Sequence, residues 1–264
     1  MQIEVDGRAV FVATGGQPVR SDRPAALFLH GAGMDHSVWT LPARYVAHHG
    51  GAALAPDLPG HTKSAGPALG SIAEMAQWSL RLLDAQQVKR AAIVGHSMGA
   101  LIGLEIARQA PDRVRALVLI GFGPKMPVHP DLLDAARRND PQAALLIASW
   151  GFGAAGEIGG NRVPGLAMLP LGLRLLQRAP AGTLHADLAA CNAYGDAEAA
   201  AARIGCPVLV LQGATDRMTP AKAAMAFAPK LKAETRLLPD VGHMVMSEAP
   251  DAVTAAMRDR VLAQ

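Results

Sequence analysis

Five short apolar runs, which lack alternating polar positions, constrain the fold of this chain more than any other feature. They are rich in Val, Ile, Leu and Ala and are flanked by Gly or Pro, a pattern typical of parallel strands that are covered on both faces. The runs span residues 25–29, 52–55, 91–94, 116–120 and 208–211. Longer segments of helical period lie between most of them. This alternation predicts an α/β fold in which right-handed helical crossovers connect the parallel strands.

Two helices can be located by their ends. Ser71 stands three positions before Glu74, which is the pattern of an N-terminal cap for a helix that starts at residue 72. The last helix is predicted to begin at Pro250, because proline is favoured at the first helical position. From there Val253 and Val261 fall on one apolar stripe with Met257.

The alternation of strand-like runs and helical segments is interrupted between about residues 123 and 205, where no segment resembles a strand. So long an interval exceeds an ordinary crossover connection, and it contains short amphipathic pieces separated by Gly and Pro. We therefore predict a core formed by residues 1–123 and 204–264. Residues 124–203 are predicted to form an inserted helical cap, or lid, over one end of the sheet.

Composition narrows the classes of partner. Lys and Arg total 25 against 22 Asp and Glu, the basic residues are scattered, and only 4% of residues are aromatic, so nucleic acid is not an expected partner. No apolar run reaches the roughly 18 residues of a membrane span, and the first residues alternate like a strand rather than forming a secretory signal.

Cys191 and Cys206 have no neighbours at metal-ligand spacing, and we expect free thiols in the cytoplasm. We expect a monomer or a homodimer without membrane or metal partners.

The strongest chemical motif is the pentapeptide Gly95-His96-Ser97-Met98-Gly99, which follows an apolar run and opens a helical segment. A serine on such a sharp strand-to-helix turn is exposed at the carboxyl edge of the sheet, and the flanking glycines let neighbouring backbone pass closely. The motif predicts that Ser97 is a nucleophile. The alternative is a glycine-rich turn with an idle serine.

A serine nucleophile needs a histidine base, and the histidine needs a carboxylate that fixes its tautomer. Asp216 stands just beyond the run that ends near Gly213, and His243 stands just beyond a predicted strand at residues 235–238. Each side chain therefore follows its own strand, so the three loops should meet at one edge of the sheet. Taken singly, Asp216 could be a turn residue and His243 a surface histidine.

Attack on a carbonyl also needs donors for the oxygen that becomes negative. The backbone N–H of Met98 is one candidate. The turn that follows the first buried strand supplies a second, for which Ala32 is preferred and Gly33 is the alternative. We expect His30 to brace this turn rather than to take part in the reaction.

These motifs together resemble the α/β-hydrolase superfamily over nearly the whole chain, and within it the capped esterase, lactonase and haloperoxidase-like branch. The resemblance rests on HGAG with Trp39 downstream, DLPGHTKS, GHSMG, GATDRMTP and VGHM, in the family's order and spacing. Thr62 departs from the family, which often places a second glycine there. The elbow serine also differs from the aspartate of haloalkane dehalogenases and epoxide hydrolases.

The resemblance implies a mostly parallel, eight-stranded sheet with flanking helices and an inserted cap. It implies Ser97 as nucleophile, His243 as base and Asp216 as acid, with no cofactor. Asp57 and His61 are expected to hold the loop after the second parallel strand. The predicted substrate pocket comprises Gly33, Met34, His96, Met126, Trp150 and Met244.

We therefore expect a serine hydrolase that cleaves a carboxylic ester or lactone of a small, largely apolar substrate through an acyl-enzyme. The same three residues could instead cleave a C–C bond or support perhydrolysis. A ligand receptor that keeps the fold but turns over little is a further alternative.

Overall fold

A computed structural model describes residues 1–157 and 167–263. It contains one eight-stranded sheet in the order β1-β2-β4-β3-β5-β6-β7-β8. Strand β2 is antiparallel to both of its neighbours, and the pairs from β4 through β8 are parallel, which confirms the predicted α/β class. The strands are β1 (Gln2–Val5), β2 (Arg8–Ala13), β3 (Ala25–Leu29), β4 (Ala52–Pro56), β5 (Ala91–His96), β6 (Val114–Ile120), β7 (Val208–Gly213) and β8 (Glu234–Leu238).

The two helix starts that the sequence predicts are confirmed. Ser71 caps α2 by accepting a hydrogen bond from the Glu74 N–H at 3.2 Å, and α12 begins at Pro250. None of the described helices is long and apolar enough to cross a membrane. The helices are α1 (Thr40–His48), α2 (Ile72–Ala85), α3 (Met98–Gln109), α4 (Pro130–Arg137), α5 (Gln142–Gly151), α6 (Ala154–Glu157), α7 (Met168–Leu176), α8 (Thr183–Ala193), α9 (Ala197–Ala201), α10 (Ala221–Phe227), α11 (Val245–Glu248) and α12 (Pro250–Met257).

Helices cover both faces of the sheet, and this explains why the central strands are apolar throughout. Successive side chains of a strand point to opposite faces. In β3, Leu27 and Leu29 join one buried cluster with α2 and α3, whereas Ala26 and Phe28 join another with α1 and α12. Both faces of the central strands are therefore buried, and these strands need no alternating polar residues.

The first residues form two strands rather than the single strand that their alternation suggests. Asp6 and Gly7 both have positive φ, 54° and 72°, and Val5 pairs directly with Arg8. A two-residue turn of this kind matches the twist of a β-hairpin. The Asp-Gly pair therefore folds β1 back onto β2 at the edge of the sheet.

The described part of the segment between β6 and β7 contains helices α4–α9, and residues 158–166 of the predicted cap lie outside the described residues. Helices α4, α5, α7 and α8 share a third apolar cluster with Met34 and Met244, which belong to loops after β3 and β8. Helix α9 packs on α3 instead, and its Ala197 and Ala200 are buried in the cluster of the main sheet.

Candidate active site

Ser97 lies between β5, which ends at His96, and α3, which begins at Met98. Its backbone has φ 54° and ψ −117°, a conformation that is uncommon and strained for a non-glycine residue. The Ser97 N–H donates to the Ile120 carbonyl of β6 at 2.9 Å, which fixes the turn. A Cβ atom at Gly99 would lie 2.0 Å from the Leu29 carbonyl oxygen, so only glycine fits there.

The loops after β7 and β8 bring Asp216 and His243 together. His243 Nδ1 lies 2.8 Å from Asp216 Oδ2, and both residues are buried. Because a carboxylate only accepts hydrogen bonds, Nδ1 carries the proton and Nε2 is the nitrogen left for another partner. Among the described residues, the Ser97 hydroxyl makes no hydrogen bond to His243, although both residues line one cavity.

The carboxylate of Asp216 is held by four further donors. Its Oδ1 accepts from the N–H groups of Met218 at 2.9 Å and Thr219 at 2.8 Å. Its Oδ2 accepts from the Thr219 hydroxyl at 2.7 Å and from Gln212 Nε2 at 2.9 Å. Burial alone would raise the pKa of Asp216, but the charge and hydrogen bond of His243 and the bonds from Thr219 hold it below its usual value. Sequence reasoning missed both Gln212 and Thr219.

The backbone of His243 is fixed on both sides. Its N–H donates to the Gly151 carbonyl at 2.8 Å, and its carbonyl accepts from His96 Nε2 at 2.9 Å. Burial, together with the nearby His243 ring, lowers the pKa of His96 to about 3, so His96 is neutral. Glu248 accepts from the N–H groups of Gly153 at 2.8 Å and Gly242 at 3.0 Å, which ties the same loop to the end of α5.

The turn after β3 carries the second candidate donor for a developing oxyanion. Met98 is the first residue of α3, so its N–H has no acceptor within the helix. In the turn, the Gly33 N–H donates to the Asp187 carboxylate at 2.8 Å, whereas no described residue accepts from the N–H of Ala32. Ala32, unlike Gly33, also lines the cavity.

His30 braces the turn, as its position in the sequence suggested. Its Nδ1 lies 3.0 Å from the Gly31 carbonyl oxygen, and its Nε2 accepts from the Leu58 N–H at 3.1 Å. One donor and one acceptor are the complement of a neutral imidazole. Burial, with the His61 ring close by, lowers the pKa of His30 to about 4, which agrees with a neutral ring.

A cavity of about 410 Å³ opens beside Ser97 and His243. Three residues of the predicted pocket, Met34, Met126 and Trp150, line it. The other three predicted pocket residues, Gly33, His96 and Met244, are not among the described residues of the lining. The remaining lining is mostly apolar and comprises Pro127, Val128, His129, Leu132, Ile147, Leu188, Cys191, Arg217, Met218 and Thr219.

One group of side chains within the described residues has the spacing of metal ligands. Asp35, His36 and Asp57 place one ligand atom each within 4.8 Å of one another. Hydrogen bonds inside the protein already occupy these atoms: His36 Nδ1 lies 2.7 Å from Asp57, and Arg178 lies 2.5 Å from Asp35. The group therefore holds the loops after β3 and β4 together.

Fold and site define a class: α/β proteins with a strained serine and a buried Asp–His pair at the carboxyl edge of a mostly parallel sheet. Residues 26–256 match the model of the alpha/beta hydrolase family. The chain belongs to this family. This confirms the resemblance on which the expected fold was based.

Individual relatives refine the comparison. Over 88% of its length, the chain is 32% identical to the dihydrolipoyllysine-residue acetyltransferase component of the acetoin cleaving system of Pseudomonas putida, and it spans only 61% of that relative. It is 29% identical to the pimeloyl-[acyl-carrier protein] methyl ester esterase of Aromatoleum aromaticum, covering 91% of this chain and 99% of the relative. The structure of a thermophilic esterase superposes with a TM-score of 0.79 at 28% identity, covering 98% of this chain and 95% of that one.

Proposed function

We propose that this protein hydrolyses carboxylic esters or lactones through an acyl-enzyme formed on Ser97. One observation carries the proposal: His243, which is paired with the buried Asp216, lines one cavity with a serine held on a strained strand-to-helix turn. Strain at such a position is retained where the surrounding structure over-determines it, as happens at functional sites. The esterase relatives support the same reaction class.

In this mechanism His243 Nε2 takes the proton of the Ser97 hydroxyl as the oxygen attacks the carbonyl carbon. Asp216 accepts from Nδ1–H and stabilises the imidazolium that forms, without taking the proton itself. The Met98 and Ala32 N–H groups donate to the negative oxygen, and such a donor contributes roughly 3 kcal/mol. The His243 proton then goes to the departing alcohol oxygen. We expect the Ser97–His243 hydrogen bond to form in the complex with substrate, since catalytic hydrogen bonds often tighten only there.

Water completes the cycle by attacking the acyl-enzyme. His243 takes a proton from the water, and the second tetrahedral intermediate collapses to release the acid and to return the proton to the serine oxygen. Base, nucleophile and orienting carboxylate all come from the chain. No cofactor enters the scheme.

The apolar cavity suits a small substrate with little charge. Residues 124–203 act as the cap in this proposal, because Leu132 of α4, Ile147 of α5 and Leu188 of α8 provide part of the lining. The cap residue Cys191 also lines the cavity, but burial raises the pKa of its thiol, so the thiol is not a competing nucleophile. Acyl groups or alcohols that fit about 410 Å³ are the expected substrates.

The test compares Ser97→Ala with Ser79→Ala on short p-nitrophenyl esters. Ser79 is a matched control because it is buried and its hydroxyl donates only to the Met75 carbonyl in α2. Ser97→Ala should abolish turnover while folding normally, and Ser79→Ala should retain it. Fluorophosphonate labelling followed by peptide mapping should modify Ser97. Undiminished turnover in Ser97→Ala, or labelling at another residue, would overturn the mechanism.

A wider substrate panel separates ester hydrolysis from the other reactions open to the same residues. Lactones should be opened, whereas preferential cleavage of vinylogous diketones would identify a C–C hydrolase. Hydrogen peroxide consumption with peracid formation would identify a perhydrolase. Tight binding with only a single turnover would indicate a receptor.

A further inference from the structure

We propose that Asp187 is a positioning residue for the oxyanion turn: it holds the Gly33 N–H, leaves the Ala32 N–H to the substrate, and has the His61 imidazolium as its counter-charge. This inference rests on the proposed ester hydrolysis. It assigns a role in the reaction to a cap residue that the sequence did not single out.

Asp187 joins the cap segment to two loops of the sheet. It lies on α8 and is completely buried. Its Oδ2 accepts from the Gly33 N–H at 2.8 Å and lies 2.8 Å from His61 Nε2. Its Oδ1 has no hydrogen-bond partner among the described residues. A buried carboxylate so placed needs a positive partner, because an uncompensated buried charge is strongly destabilising.

The hydrogen bonds of His61 show that it is that partner. Nδ1 lies 3.1 Å from the Pro59 carbonyl oxygen, and Nε2 faces the Asp187 carboxylate. Since both neighbours are acceptors, both ring nitrogens must carry protons, and the ring is an imidazolium. His30 makes the contrast clear: its ring centroid is only 4.7 Å away, yet its Nε2 accepts an N–H, so it is neutral.

The charges around His61 agree with this assignment. Burial disfavours the charged ring, but the charge and hydrogen bond of Asp187, the Pro59 carbonyl and the charge of Asp57 outweigh it and raise the pKa of His61 above the ordinary value. The Asp187 carboxylate, the Pro59 carbonyl and the neutral His30 face the ring, and the charge of Asp57 acts on it as well. Charge on His61 is lost only on the alkaline side of its raised pKa.

Helix α8 also fixes the turn by packing. Gly33 has φ 66°, and a Cβ atom there would lie 2.8 Å from Leu184 Cδ1. Leu184 and Asp187 are three residues apart on α8, so they reach the turn from one helix face. The hydrogen bond to Asp187 orients the Gly33 peptide, and the packing of Leu184 sets the distance of that peptide from the sheet.

This arrangement decides which N–H can serve the oxyanion. The Gly33 N–H is committed to a charged acceptor, and giving it to the substrate would leave the Asp187 carboxylate with one donor fewer in a buried site. The neighbouring Ala32 N–H has no described acceptor, and Ala32 lines the cavity together with Ser97. Asp187 thus gives two adjacent N–H groups different roles: the Gly33 N–H holds the turn, and the Ala32 N–H is left for the reaction.

The first experiment measures kcat and KM for Asp187→Asn and Asp187→Ala. Removing an oxyanion donor outright costs about 10²–10³ in kcat, so a misplaced donor should cost about 10–100-fold, with KM within a few-fold. Binding of a trifluoromethyl ketone, which forms a tetrahedral anion on the serine, should weaken by the same factor. Binding of a neutral alcohol of the same shape should be unchanged.

Glu105→Gln is the matched control. Glu105 is also a buried carboxylate, and it also links the cap segment to the core, because it accepts from the Tyr194 hydroxyl at 3.2 Å. It lies on α3 at a distance from the oxyanion turn along the helix, so its variant should keep kcat and inhibitor binding. Equal losses in the Asp187 and Glu105 variants would reduce Asp187 to a structural link and overturn the inference.

A second measurement needs no variant. Nitrogen-15 NMR of labelled histidine in the unaltered protein at neutral pH should show His61 protonated at both ring nitrogens and His30 at one. A neutral His61 would overturn the inference even if the Asp187 variants fail to fold. Turnover by Ser97→Ala refutes the proposed function, whereas wild-type kcat in Asp187→Ala with an inactive Ser97→Ala refutes only the role of Asp187.

Discussion

Replacing Thr219 by valine removes one of the five donors that hold Asp216 while keeping the shape of the side chain. The deleted bond, from the Thr219 hydroxyl to Asp216 Oδ2, is 2.7 Å long and has a charged acceptor. Hydrogen bonds to charged groups contribute about 1.5–3 kcal/mol, so Thr219→Val should lower the free energy of unfolding by about 2 kcal/mol. The four other donors remain, so kcat should fall by less than about tenfold.

Urea denaturation at neutral pH measures this loss, with Thr215→Val as the control. The Thr215 hydroxyl donates to the Val241 carbonyl at 2.8 Å, a neutral acceptor on a neighbouring loop. Such a bond contributes about 0.5–1.5 kcal/mol, so the control should lose less stability and keep kcat. The difference reports on the charge of the acceptor together with the weaker contacts of the Thr219 hydroxyl to His243 Nδ1 at 3.2 Å and Gln212 Nε2 at 3.4 Å.

A double-mutant cycle with Asp216→Asn decides whether the two residues act through this bond. Making the acceptor neutral should reduce the effect of Thr219→Val by about 1 kcal/mol. Equal losses in Thr219→Val and Thr215→Val, together with zero coupling to Asp216, would refute the account of the carboxylate given above.

Three further outcomes follow from the site. Leu132→Ala should enlarge the cavity and shift the preference in a p-nitrophenyl ester series to longer acyl chains; an unchanged preference would remove Leu132 from the substrate-binding wall. Glu248→Ala should leave two buried N–H groups without an acceptor, at about 1–3 kcal/mol each, and lower the melting temperature more than Glu248→Gln; equal melting temperatures would contradict this. The free energy of unfolding should decrease as the pH falls from about 6.5 towards 4. The cause is that the pKa values of the buried His30 and His96 rings are lowered in the folded protein, so that in this pH range the unfolded chain binds protons at these rings and the folded chain does not. His30→Gln, where it folds, should flatten that decrease in urea titrations.

The sheet could be predicted because its signals are local. The run 25–29 coincides with β3, and the Ser71 and Glu74 pattern marks the start of α2. The backbone at Thr62 has a φ of 33°, which lies in the left-handed region that favours glycine. Threonine therefore adopts here a backbone conformation that glycine adopts more easily.

The supports of the site could not be predicted, because they depend on contacts between distant parts of the chain. Asp187 and Gly33 are 154 residues apart, and no sequence pattern near either residue indicates that the two are in contact. One signal was present: Leu184, Leu188 and Cys191 share a helix face with Asp187. An aspartate within such an apolar stripe indicates a buried carboxylate that needs a partner. The sequence does not say which partner it has.

The loops that carry the site are fastened to the segment 124–203 at separate points, through Asp187, the Gly151 carbonyl and Glu248. If the described helices of this segment form the proposed cap, they cannot move away from the sheet as one body without breaking these hydrogen bonds. Under the proposed function, we expect substrate to enter when side chains at the rim of the cavity move apart. We therefore expect heat to inactivate the site and to expose the described helices of the proposed cap to proteases in the same step.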